Sequence, residues 1–217
     1  MADTAHATTA PPYTSAHRPS AGQEMRRHMT ATPNGSATTP VSAPLSPPVS
    51  SAVGSPVSDI DGMRFRSVLG RFATGVVAIT AIDQETDKPI GLAANSFTSV
   101  SLDPPLVAFC VAHTSSTWPR LRVADRLCIN ILSEPQLDVC RQLSMKGGDK
   151  FATIGWTTSP GGGPVIEEAL AWIECSVESE YPAGDHMIVV ARVHHLDKHH
   201  EGEPLLFYQG VYGRFDG

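Results

Sequence analysis

The sequence predicts a mainly β chain: an antiparallel barrel, closed or nearly closed, with short helices inserted between its strands. Two observations carry this. Six or more β-branched or alternating runs follow residue 60, and the helical segments between them are too short to cover a doubly wound parallel sheet. Residues 1–58 contribute nothing to that barrel. Half of the 18 prolines lie there, mostly among Ala, Ser and Thr. Such a segment cannot bury enough apolar surface to offset its ordering entropy, so it reads as a disordered tail ahead of a domain over 59–217.

The elements follow in order. Residues 59–73 read as a helix capped by Asp59, with Ile60, Met63, Val68, Leu69 and Phe72 near helical spacing; Thr74-Gly75 ends it. Residues 76–82 are a strand, Asp83 to Pro89 a polar turn, and 90–97 the returning arm of a hairpin. A third buried strand runs over 106–111. Thr114-Ser-Ser-Thr117 gathers potential N-caps before a short helix over 118–125, where Pro119 fits only in the first turn. A strand over 127–132 precedes a helix over 134–143 that turns Leu137, Cys140 and Leu143 inward. Residues 145–164 are loop-rich, broken by Gly147-Gly148 and Gly161-Gly162-Gly163-Pro164. Three longer strands, 169–181, 186–196 and 205–214, close the chain.

Composition removes several function classes. The formal charge is −6 and the 16 Lys and Arg are scattered, so no basic face for nucleic acid is expected. Cys110, Cys128, Cys140 and Cys175 form no CxxC pair and sit in apolar contexts, as free thiols do in a reducing compartment. No apolar run approaches the length of a membrane span. Met25-Arg26-Arg27-His28 has a basic pair but no apolar run behind it, which argues against a secretory or twin-arginine signal. The expected location is the cytoplasm. Met63 stands as an alternative start, with the tail then an over-long gene reading.

Attractive motifs fail on their details. Gly70 to Gly75 has the glycine spacing of a phosphate loop but lacks the following Lys-Ser/Thr and ends a helix. Neither GxGxxG nor GxSxG occurs. His194-His195-Leu-Asp-Lys-His199-His200 resembles a metal cluster, yet adjacent strand residues point to opposite faces and no Cys or Glu spacing completes a site. A solvated strand end is the plainer account.

Core packing does not call for Asn95, Ser96, Thr98, Ser99 and Ser101 in one short stretch before Pro104-Pro105. A backbone that must approach a flat polar ligand does, although hydroxyls that merely cap backbone groups would look alike. Ser115, Ser116 and Thr117 open a predicted helix, where free N–H groups and a positive dipole end suit phosphate as well as simple capping. Lys150-Phe151 follows a Gly-Gly loop, and the chain has only four lysines. In Gly184-Asp185-His186 the glycine permits a tight turn and the histidine begins the next strand, bonded locally or acting as a donor near neutral pH.

Together with Phe65–Val76, Trp156 and Pro204-Leu-Leu-Phe-Tyr208, these segments resemble the short-chain flavin reductases over about 65–215. The resemblance implies the FMN-binding split barrel, antiparallel and of Greek-key type, as a homodimer with flavin near the subunit interface. It places Asn95, Ser96, Phe97 and Thr98 along the isoalloxazine and Ser101 toward the ribityl or phosphate. It puts Ser115, Ser116 and Thr117 at the flavin phosphate, Lys150 and Phe151 at the flavin, and Asp185-His186 on the nicotinamide side. The activity implied is hydride transfer from NADH or NADPH to FMN or FAD, with reduced flavin released to a separate flavin-dependent oxygenase. A flavin-binding electron carrier or storage protein is the alternative, and a pyridoxamine-phosphate-oxidase-like enzyme a weaker one.

Overall fold

The computed structural model describes residues 60–214. The expected tail and the expected cap Asp59 lie outside them. Helix α1 (Gly62–Leu69) leads into β1 (Thr74–Gly75), β2 (Val77–Ile82), β3 (Pro89–Ala94), β4 (Thr98–Leu102) and β5 (Pro105–Ala112). After α2 (Trp118–Leu121) come β6 (Leu127–Ile131), a 3₁₀ turn (Glu134–Gln136) and α3 (Leu137–Ser144). A small hairpin, β7 (Trp156–Thr158) and β8 (Pro164–Ile166), precedes the long one, β9 (Ala171–Ala183) and β10 (His186–Lys198). Strands β11 (Leu206–Tyr208) and β12 (Val211–Gly213) follow.

Seven strands form one antiparallel sheet in the order β3-β2-β6-β9-β10-β5-β4. Alternation sends Ile79, Phe109, Leu127, Ile129 and Val189 into its interior, each fully buried. Strand β2 is buried on both faces. Its other side, with Val76 before it and Ala78 within it, is roofed by Cys140 and Leu143 of α3 and by Phe151. Two polar groups anchor β8 to this wall. Asn130 Oδ1 accepts the Ile166 N–H at 2.9 Å, and Thr80 Oγ1 donates to Pro164 O at 2.6 Å.

Five expectations change. The first helix is capped by Asp61, whose Oδ1 accepts the Met63 N–H at 3.0 Å, and none of its residues is buried. Met63, Phe65, Val68, Leu69 and Phe72 are exposed, so the apolar stripe meets no element of its own barrel among the described residues. The hydroxyl-rich stretch is partly a strand: β4 pairs with β5 as a sheet edge, with a bulge at Ser99–Ser101. Helix α2 has four residues instead of eight. The last strand is a hairpin, with Tyr208 opposite Val211 and both Gln209 and Gly210 at positive φ, the requirement of a tight two-residue turn. The helix expected over 134–143 opens as the 3₁₀ turn, because Ser133 and Gln136 close a capping box there.

Candidate active site

The turn between β9 and β10 is only Gly184 and Asp185, since Ala183 already pairs with His186. Gly184 holds φ 63°, which a side chain would strain. The turn fixes His186 as the first residue of β10. Its Nδ1–H donates to Asp185 Oδ1 at 2.7 Å, because an ionised carboxylate only accepts, and Nε2 has no hydrogen-bond partner among the described residues. The imidazole in turn holds the Asp185 carboxyl below the usual range.

The loop before α2 is tied down from several sides. Trp118 packs edge-on against Phe109, with centroids 5.6 Å apart, and its Nε1–H donates to Glu180 at 2.9 Å. Arg122 pairs with the same Glu180. Arg120 grips Asp83 with two hydrogen bonds, 3.1 and 2.6 Å. Thr86 Oγ1 adds a third at 2.5 Å, and the Asp83 carboxyl is held far below the carboxylate range by Arg120 first. Ser115 Oγ accepts the Trp118 N–H at 3.2 Å. A helix of four residues has little macrodipole, so the loop itself offers little positive charge.

Lys150 brings a cation to this loop. The ammonium reaches back to donate to Leu143 O at 2.8 Å, Thr117 Oγ1 at 3.2 Å and Gly91 O at 3.3 Å. Partial burial pulls its pKa below the ordinary 10.5. No carboxylate pairs with it among the described residues.

These parts meet in one cavity of about 370 Å³, within the range of small-molecule sites. Seven of the residues singled out in the sequence line it: Asn95, Ser96, Ser115, Ser116, Thr117, Lys150 and His186. Ser96 also acts as a clasp, accepting the Cys110 N–H at 2.9 Å and donating to Cys110 O at 3.2 Å. The other five stand off the lining. Phe97 packs against the interior cluster and Phe151 is buried beneath α3. Thr98 and Ser101 lie on the edge strand β4, and Asp185 stands behind His186. Sequence reasoning passed over Lys146 and Cys110, which do line the cavity. For Lys146 a signal existed: Lys88, Lys146 and Lys150, three of the four lysines in an acidic chain, line this cavity or its neighbour. Among the described residues the first lining holds no aspartate or glutamate, so it suits a polar anion.

Residues 69–216 match the family described as flavin reductase like domain. The chain belongs to that family. Over 158 residues it is 47% identical to a flavin reductase of Pseudomonas putida, spanning 73% of this chain and 92% of that protein. It is 46% identical over 153 residues to HsaB, the reductase subunit of a flavin-dependent monooxygenase in Rhodococcus jostii strain RHA1, covering 70% and 77%. Among solved structures, nitrilotriacetate monooxygenase component B from Mycobacterium thermoresistibile superposes with a TM-score of 0.69 at 42% identity, over 72% of this chain and 88% of that one. The fold is accordingly the split barrel, and the protein is an NAD(P)H:flavin oxidoreductase acting on FMN or FAD. No helix among the described residues is long and apolar enough to cross a membrane.

Proposed function

We propose that the 370 Å³ cavity holds the flavin during reduction, and that the enzyme then passes reduced flavin to a separate flavin-dependent oxygenase. The observation that carries this is the convergence of Lys150, the Ser115–Thr117 loop, Asn95-Ser96 and His186 on one acid-free lining. Bound flavin supplies the hydride acceptor. Asn95 and Ser96 edge its ring, with Phe97 and Thr98 behind them and Ser101 toward the ribityl chain. Ser115, Ser116, Thr117 and Lys150 hold the phosphate, and Phe151 supports the lysine loop from below. His186, oriented by Asp185, positions the nicotinamide.

The working form is a cytoplasmic homodimer. The bare stripe of α1 is the support for a second copy, together with exposed Val100, Leu102, Tyr181 and Ile188 on the β4–β5–β10–β9 side. Sedimentation should give twice the chain mass, and Phe72→Asp should shift it to one; a monomeric parent protein would remove the dimer. The catalytic domain spans 59–217, with 1–58 dispensable. The reaction is tested by following NADH and NADPH oxidation at 340 nm across FMN and FAD concentrations. Saturable turnover that requires added flavin is expected. Bound flavin without turnover would leave an electron carrier instead.

A further inference from the structure

Thr114, Ser115, Ser116 and Thr117 line the cavity from a loop that is neither helix nor strand. Among the described residues only one backbone N–H of the four has a partner, that of Ser115, which donates to Ala112 O at 2.9 Å. The N–H groups of Thr114, Ser116 and Thr117 are left for a ligand. Lys150 touches the loop through one long bond, 3.2 Å to Thr117 Oγ1. Its position is therefore set by what holds its ends.

The β9–β10 hairpin holds both. At the head, the His113 N–H donates to Asp185 O at 3.0 Å, in the turn that precedes His186. At the foot stands Trp118. Its N–H meets Ser115 Oγ at 3.2 Å, and its Nε1–H donates to Glu180 Oε1 at 2.9 Å. Arg122 pairs with the other oxygen of that carboxylate and so keeps Oε1 turned to the indole. Glu180 lies opposite Val189 in the ladder, three rungs from the tip residue His186. We propose that Glu180 is a positioning residue for the reaction: through Trp118 it holds the Thr114–Thr117 loop at the spacing from His186 that lets flavin and nicotinamide meet. The proposal rests on the reading of Ser115–Thr117 and Lys150 as the phosphate site.

Burial gives the tie its strength. Trp118 is 6% exposed and packed edge-on against Phe109, so its indole N–H has little water to turn to. The Glu180 side chain is 13% exposed, and losing it leaves a buried donor without its acceptor. A displaced indole carries the loop with it, because the Trp118 N–H is itself bonded to Ser115. Contacts to phosphate are short and directional, so a loop moved by about 1 Å forfeits them while the barrel stays folded. His186 stays in place, since backbone pairing and not the Glu180 side chain fixes it.

The test compares Glu180→Leu, Glu180→Gln and Trp118→Phe with the parent protein. It reads Kd for FMN and for riboflavin by flavin fluorescence, KM for NADH, and Tm. Leucine removes the acceptor, glutamine keeps an oxygen for the indole, and phenylalanine keeps a ring on Phe109 but deletes the N–H. Expected for Glu180→Leu and for Trp118→Phe is about tenfold weaker FMN binding, with riboflavin and NADH moved less than about twofold. Glu180→Gln should bring FMN back to within about threefold of the parent. Removing both partners together should weaken FMN no further than removing one. FMN binding unchanged in Trp118→Phe, with or without a fall in Tm, overturns the proposal, and so does equal weakening of FMN and riboflavin. Trp118→Phe decides the matter if Glu180→Leu does not fold. Lys150→Met tells the two levels apart. If it weakens FMN selectively while Trp118→Phe does not, only the positioning role is lost. If neither variant separates FMN from riboflavin, the phosphate site is wrong and the positioning role goes with it.

Discussion

Replacing Lys150 with methionine keeps most of the side chain's length and deletes its charge. The ammonium holds one short bond, to Leu143 O at 2.8 Å, and two long ones, to Thr117 Oγ1 and Gly91 O. The long pair is what an arriving phosphate oxygen can displace. Two unit charges about 4 Å apart attract by roughly 4 kcal/mol at an effective dielectric near 20, before solvation is subtracted. Hydrogen bonds to charged groups retain about 1.5–3 kcal/mol net. A loss of about 2 kcal/mol, or roughly thirtyfold in Kd, is therefore expected for FMN. Riboflavin has no phosphate and should move less than about twofold. Quenching of flavin fluorescence measures both. Equal weakening of the two would make Lys150 a strut under the ring, and the phosphate assignment would fall. The pH profile gives a second reading. Only the ammonium attracts the dianion, and burial lowers its pKa, so FMN affinity of the parent protein should decline with rising pH starting below the ordinary 10.5. Riboflavin affinity should stay level over the same range.

Other expectations follow from named contacts. His186→Ala should raise the KM for NAD(P)H about tenfold and leave that for flavin much less affected, a split that steady-state kinetics resolves. A change confined to flavin would move His186 to the flavin side. The Asp83 carboxyl has a folded pKa below its unfolded one, so its stabilisation is present above about pH 4 and lost as pH falls. Asp83→Asn should flatten the acid limb of Tm against pH, and an unaltered limb would refute that. Glu174 is fully buried and its Oε2 accepts from Ser159 Oγ at 2.5 Å and Gly161 N at 2.6 Å. Orphaning those donors in Glu174→Ala should cost about 2–4 kcal/mol in denaturant unfolding. Removing residues 1–58 should leave flavin reduction intact; loss of activity in folded truncated protein would show that the domain begins earlier.

Local chemistry made much of the fold legible. The β-branched run Val77 to Ile82 could only be a strand, and the twin patterns around Gly184-Asp185 announced a hairpin. The final hairpin was hidden because glutamine, not asparagine or glycine, takes the first left-handed position of its turn. Strand β4 was hidden because its serines and threonine resemble a ligand loop, and as an edge strand it needs no apolar face. For the site, each segment showed its own polar cluster. What no segment showed was contact at a distance: Lys150 reaching Thr117 across 33 residues, or α2 being too short to hold an anion by its dipole. Those are consequences of packing.

Strands β3 and β4 stand at opposite ends of the sheet order, yet only Asn95, Ser96 and Phe97 separate them along the chain. That tripeptide is therefore the seam of the wall, and the Ser96 hydroxyl fastens it to β5 where a continuous ladder of backbone bonds is lacking. A ligand lodged beside the seam works as its buckle. Such a ligand would touch Ala94 of β3 and Cys110 of β5 at once, and so span the joint that the tripeptide closes.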